Sequence, residues 1–466
     1  MPDAHRAAFL AFEDGGCIRA RMGRRMHGSG CRSPCIEDRV RADGRPDRGN
    51  FPEQIERQGC HHIGNIESMS TTRRWNVTNT MRSLIVLAGA VLCCVPTDAT
   101  AGDASQPRRF LTFSSRLSDA WIMKHGSEYV FVWGESDGNK RDPVRADVWK
   151  QYAPNTELST YFPYGRDPAR ADPASWQKSH PDWIAYRCDG ETMAELFDKP
   201  IVPLDISNPQ VVAWQVGNFV NGQYRDIALD NFSTSNVERE CGVKRNGRFV
   251  RQYTEDRAGT ERFAEAKVAW LERVTAQLHE AGKTVTVNYQ IDRPVDSPLV
   301  RRITKAVDSV LTEEMFPPRH KGRFKAILDY ADRLKREGKG FYAIYEIEVP
   351  SADTVQSVMA AYLIYAWSRS AVSISAVQDY GSEPKYGGFD RSVGTPCEEY
   401  RNSGGIYSRR YAGGVTVFAD PMSPVAAVYR VPPGFSDVSG KPAPSALELK
   451  PGEGRILYRT GVMTCS

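Results

Sequence analysis

Several acidic and amide side chains fall at the ends of short apolar runs, and such placement has chemical meaning. Asp230 directly follows Ile227-Ala228-Leu229. Glu313 and Glu314 follow Ser309-Val310-Leu311-Thr312, and Glu346 follows Phe341-Tyr342-Ala343-Ile344-Tyr345. Asp205 closes Ile201-Val202-Pro203-Leu204, and Asn288 and Gln290 flank Tyr289 at the end of another run. Paired carboxyl groups beside aromatic rings suit glycoside hydrolysis, in which one carboxylate attacks or directs water and the other protonates the leaving oxygen. Asp230 with Glu313 or Glu314 is the expected catalytic pair. Trp133, Tyr161, Tyr164, Asp205, Asn231, Asn288, Gln290 and Glu346 are the expected substrate contacts. A lone acid at a strand end more often caps a loop or pairs with Arg, so the pairing is what points to chemistry.

Other chemistries lack their motifs. The sequence has no G-x-S-x-G and no H-E-x-x-H. Asn288, Gln290 and Asp292 lack the Gly and the closing Glu of a calcium loop. No metal and no cofactor is expected.

Residues so scattered act together only if a scaffold gathers strand ends. From about residue 128, apolar runs alternate with helical stretches: Tyr129–Gly134, Glu157–Tyr161, Trp183–Tyr186, Ile227–Asp230, Thr284–Tyr289, Ser309–Glu314, Phe341–Glu346 and Val372–Val377 read as strands. Helices are expected between them, among them one capped by Ser207 or Asn208 with Pro209 in its first turn, and a long one from Thr260 to Ala281. Strands alternating with helices imply parallel β-α units, and this many over about 250 residues is the size of a (β/α)8 TIM barrel, whose active sites sit at the C-terminal ends of the strands. An open doubly wound sheet would put a Gly-rich loop after its first strand, which Trp133-Gly134-Glu135-Ser136-Asp137 is not. After about residue 403 the helical period stops. Gly413–Ala419, Val425–Val431 and Arg455–Tyr458, split by Pro/Gly turns, predict a small C-terminal antiparallel β-sandwich. The expected division is a barrel over 102–402 and a β domain over 403–466.

Met81 to Cys94 has a short basic start and an apolar run, and Ala99-Thr100-Ala101 follows. That is the pattern of a signal peptide over 81–101, cleaved after Ala101, and the run is too short for a stable membrane span. Residues 1–80 hold 13 Arg, no Lys and no sustained apolar period. They read as a disordered extension produced by a start placed upstream of the true one, at Met69 or Met81. An exported protein, periplasmic or secreted, is expected. Its four remaining cysteines, Cys188, Cys241, Cys397 and Cys465, allow two disulfides in any of three pairings. The net charge of +4 lies mostly in the extension, so the folded body has no basic footprint for nucleic acid. Composition sets no oligomeric state.

Three segments carry a family resemblance: Pro203-Leu204-Asp205-Ile206-Ser207-Asn208-Pro209, Asp226-Ile227-Ala228-Leu229-Asp230-Asn231-Phe232 and Thr312-Glu313-Glu314-Met315-Phe316. Over residues 110–460 the chain resembles hypothetical glycosyl hydrolase family 15, bacterial proteins near the endo-α-1,4-polygalactosaminidases in the α-galactosidase-like barrel superfamily. Pro432-Pro433-Gly434-Phe435 and Leu449-Lys450-Pro451 resemble the β domain that follows such barrels. The resemblance implies a nucleophile ending the fourth strand, matching Asp230, and an acid/base ending the sixth, matching Glu313 or Glu314. Strand alternation turns only one of those two inward, and the E-x-x-F phase of the relatives favours Glu313. The function expected is cleavage of the O-glycosidic bonds of a poly- or oligosaccharide by two carboxylates, with a retaining mechanism. The competing class is a catalytically inactive glycan-binding protein on the same scaffold, and a more distant third is a polysaccharide deacetylase, which the lack of a metal triad disfavours. Reducing-end release against binding without turnover separates the first two.

Overall fold

The computed structural model describes residues 107–113, 117–136, 146–165, 173–194, 202–316, 323–376, 391–461 and 465. The extension and leader expected over 1–101 lie outside them. The described residues fall in the compact unit Pro96–Ser466.

In chain order this unit begins with β1 (Arg109–Thr112), α1 (Asp119–His125), β2 (Tyr129–Ser136), α2 (Ala146–Tyr152), β3 (Glu157–Pro163), α3 (Pro173–Ser179), β4 (Ala185–Tyr186) and α4 (Pro209–Gly217). It continues with β5 (Asp226–Phe232), β6 (Gly242–Arg245), β7 (Arg248–Arg251), α5 (Arg257–Glu280), β8 (Thr284–Tyr289) and α6 (Pro298–Ala306). Then come β9 (Ser309–Phe316), α7 (Arg323–Arg336), β10 (Gly340–Ile347), α8 (Ala352–Tyr365) and β11 (Ser370–Ala376). Strands β1, β2, β3, β5, β8, β9, β10 and β11 close into one parallel barrel, with β11 returning to β1. The TIM barrel plus β domain expected from the strand–helix alternation is the observed architecture.

Two strands differ from the sequence reading. The first barrel strand is β1, only four residues long, too short to show a period. Trp183–Tyr186 is not a barrel strand. Its last two residues form β4, which pairs antiparallel with β6 in a small sheet, β4-β6-β7, built from the insertions after β3 and β5. A four-residue apolar run reads as a buried strand but does not reveal the direction of its partner. Cys188 and Cys241 bond across these same two insertions, and Cys397 bonds to Cys465, which settles one pairing of the three.

Side-chain parity divides the barrel wall. Phe110, Phe131, Trp133, Ala228, Leu311, Ile344 and Ala371, all from strands, pack together inside. Ile227, Leu229, Val285, Val287, Val310, Tyr345 and Ile347 face outward and share a core with the helices. Caps fix where the helices start: Asn208 accepts from the Gln210 N–H ahead of Pro209, and Asp256 accepts from the Gly259 N–H to open α5.

The C-terminal part adds β12 (Arg401–Ser403), β13 (Ile406–Tyr411), β14 (Gly414–Ala419), β15 (Ala427–Arg430), β16 (Phe435–Ser436), β17 (Ala446–Leu449) and β18 (Gly454–Arg459). A five-stranded sheet, β12-β13-β14-β18-β16, is covered on one face by the pair β15-β17. Its other face lies on α7 and α8, where Phe324 meets Tyr407 and Phe418. Helix α8 is buried without a break from Val355 to Tyr365, pinched between barrel and sheet. Thr416 Oγ1 donates to the Ala360 carbonyl at 3.1 Å, and the Gly454 N–H donates to Ser357 Oγ at 3.1 Å. A Cβ on Gly454 would stand 2.6 Å from that of Ala360, so glycine is what allows the approach. No helix among the described residues is long and apolar enough to cross a membrane.

Candidate active site

Asp230 ends the inward-facing row Asp226, Ala228, Asp230 on the fourth barrel strand, β5. Three donors hold its carboxylate. Tyr161 Oη from β3 donates to Oδ2 at 2.5 Å, Asn231 Nδ2 donates to Oδ2 at 2.8 Å, and Asn288 Nδ2 from β8 donates to Oδ1 at 2.7 Å. Asn231 has φ +61°, and the register of β5 against β8 shifts between Leu229 and Phe232. This bulge takes the chain into the left-handed region, which Asn tolerates better than most residues, and swings its amide back onto the preceding carboxylate. Phe113 and Ile291, just past the ends of β1 and β8, are also non-glycine residues in the left-handed region, so the backbone is irregular at several points around this end of the barrel.

A second carboxylate braces the rim. Asp292 Oδ2 accepts from the N–H and Oγ1 of Thr234, the N–H and Oγ of Ser235, and Ser233 Oγ, all at 2.7–3.1 Å. Tyr289 Oη donates to its other oxygen at 2.6 Å. The segment after β5 is thereby tied to the segment after β8. Sequence reading set Asp292 aside as part of a failed calcium loop; the hydroxyl-rich Ser233-Thr234-Ser235 that follows Asp230 was the available signal.

The two adjacent acids of β9 part company. Glu313 has the parity of Leu311 and faces the barrel interior, half-buried. Glu314 has the parity of Val310 and Phe316, faces the helices, and pairs with Arg323 Nε at 2.5 Å. Arg323 also donates to the carbonyls of Gln290 and Ile291, so the pair staples the ends of β8 and β9. Glu314 is therefore corrected from candidate proton donor to structural partner, because alternation aims it away from the mouth.

Other expected contacts divide in the same way. Tyr161 holds Asp230 by its hydroxyl, and Trp133 is buried inside the barrel beneath the mouth. Gln290 lies exposed at the rim, with its backbone N–H bonded to the Phe232 carbonyl. Tyr164 is not a substrate contact: it is buried in the outer core, with the Lys267 ammonium 3.9 Å over its ring. Lys267 is itself fully buried on α5 and pairs with Glu238 at 3.2 Å, next to Glu240, whose carboxyl burial pushes well above its usual range. Asp205 is likewise buried; it accepts from the Ser207 N–H and hydroxyl and pairs with Arg245, so it fixes the insertions instead of meeting a ligand.

Glu346 shares the inward parity of Tyr342 and Ile344 on β10 and is only 6 % exposed. Burial first, and then the charge of Glu314 through the wall, raise its carboxyl to about 7. Among the described residues, the one cluster with ligand-type atoms is Cys188, Cys241 and Glu255, and both its sulfurs are spent in a disulfide.

No family model and no curated protein matches the chain. Among solved structures it is similar to an alpha-amylase from Lactobacillus plantarum at 10% identity and TM-score 0.41, covering 77% of this chain and 99% of that one. It is similar to the isomaltulose synthase SmuA from Protaminobacter rubrum at 10% identity and TM-score 0.33, over 76% of this chain and 98% of that one. A beta-galactosidase from the psychrophilic Marinomonas ef1 overlaps at 10% identity and TM-score 0.39, over 58% of this chain and 54% of that one. Likenesses of this size assign no activity.

Proposed function

We propose that the barrel mouth hydrolyses a glycosidic bond of a poly- or oligosaccharide, with Asp230 as the attacking carboxylate. One observation carries the reading: a carboxylate at the end of the fourth strand, aimed by three neutral donors from β3, β5 and β8. Such an arrangement fixes the oxygen that must meet a sugar carbon, and among the described residues it does so without an ion pair to Lys or Arg. The proton donor stands on the wall beyond β8, where Glu313 and Glu346 both face inward. The same reading takes the chain to be exported by the leader at 81–101. Two disulfides, of a kind that persists in oxidising compartments, support that step.

Reducing-end release from a panel of bacterial exopolysaccharides tests the activity. Asp230→Asn should abolish release while leaving glycan binding and the fold intact. Azide should restore turnover to Asp230→Ala if a covalent glycosyl-enzyme forms, and the anomer released first should then match the substrate's. Binding without release by the unmodified protein would select the glycan-binding class instead.

A further inference from the structure

We propose that Glu346, on the seventh barrel strand, is the group that hands the proton to the leaving oxygen, in place of either acid on the sixth. This rests on the glycosidase reading above and names its second catalytic residue.

Geometry separates the three acids. Glu314 faces the helices and is bound by Arg323. Glu313 faces inward but is half-buried. Glu346 faces inward, lies three strands round the wall from Asp230, and is almost wholly out of water. Register places it beside Met315 of β9 and Ser375 of β11, one inward step nearer the mouth than Ile344, which is level with Glu313. The charge that bears on it is that of Glu314 across the wall, while Glu313 on the neighbouring strand and Asp230 on β5 share its inward parity. Among the described residues no cation reaches it. Desolvation without a cationic partner favours the neutral acid, and the carboxyl accordingly sits at about 7, where it can hold a proton and release it. Asp230 is held by three donors while Glu346 is buried beside Ser375 with the like charge of Glu314 across the wall, and two such environments divide the roles of nucleophile and acid.

The step balances. As an Asp230 oxygen forms a bond to the anomeric carbon, the bond from that carbon to the glycosidic oxygen breaks, and the departing oxygen takes the Glu346 proton. The resulting Glu346 carboxylate then takes a proton from water as the water oxygen attacks the same carbon, releasing Asp230 and restoring the acid.

The full protein is assayed on 2,4-dinitrophenyl glycosides, whose leaving group needs no proton, and on the matching phenyl glycosides. Glu346→Gln should lower kcat/KM on the phenyl substrate by about 10²–10⁴-fold, cost less than about tenfold on the dinitrophenyl one, and erase the basic limb of the pH profile. Glu313→Gln should keep that limb. Selective ¹³C labelling of Glu carboxyls, with Glu346→Gln for assignment, should show a group titrating near neutrality. The limb vanishing in Glu313→Gln but not in Glu346→Gln, or an ordinary titration of Glu346, overturns the assignment while leaving the glycosidase reading intact. No turnover of any glycoside, with the near-neutral titration present, removes the glycosidase reading and the donor role with it.

Discussion

Glu346→Gln swaps a buried acid for an amide of the same shape, so it reports on the protonation of that one site without any substrate. The carboxyl moves from an ordinary 4.5 in the unfolded chain to about 7 in the fold. Below pH 4.5 both states hold the proton and the site is neutral to stability. Between the two values the unfolded chain has lost its proton and the fold still binds one, so stability falls as pH rises; above 7 the full cost is present. At about 1.4 kcal/mol per unit, that cost is on the order of 3 kcal/mol. The amide cannot ionise, so the variant should match the parent near pH 4 and exceed it near pH 8 by about that amount. A unit spanning Pro96–Ser466 melts with an entropy of roughly 0.75 kcal/mol/K, which converts the gain to about 4 °C in Tm. Urea or thermal unfolding of both proteins at several pH values measures the difference, and the contributions of Asp226, Glu157 and Glu240 cancel in it. A difference that does not change between pH 4 and pH 8 would refute the account of Glu346 as a desolvated acid.

Other outcomes follow from neighbouring geometry. Tyr161→Phe removes a hydrogen bond to a charged group, worth about 1.5–3 kcal/mol; turnover should fall roughly 10–150-fold in a rate assay, with Tm lowered by no more than about 2–4 °C. Lys267→Ala strands Glu238 without its counter-charge and should cost about 3–5 kcal/mol in a denaturant titration, with the double variant Lys267→Met/Glu238→Gln recovering much of the loss. Replacing Cys188 and Cys241 by Ser opens a link across 53 residues, and unfolding under non-reducing conditions should show a loss of about 4 kcal/mol. Limited proteolysis near residue 402 should not yield a stable barrel, because α8 shares its core with the β domain.

The alternation of strands and helices was legible because each buried parallel strand carries an apolar run that gives way to polar residues near its C-terminal end, as β5 does after Leu229. Direction within the wall was not. Alternation allows only one of Glu313 and Glu314 to turn inward, and it is Leu311 inside the barrel that makes it Glu313; Tyr164 looked like a platform until Phe162, two residues earlier, was seen to face outward. The role of Glu346 is a matter of solvation, which composition does not carry. The pairing of β4 with β6 depends on two insertions meeting in space, and no local pattern announces a meeting 53 residues apart in sequence.

Helix α8 imposes an order on assembly. Its inner side fits the barrel, but its outer side stays apolar and uncovered until β14 and β18 arrive, and both follow it in the chain. Until both strands have docked, the barrel carries an uncovered oily stripe along that helix. Chains cut short after β11 should be sticky instead of merely smaller, drawn to chaperones or to one another. The β domain thus acts as a lid on the barrel's own packing: only a chain that carries β14 and β18 buries that helix.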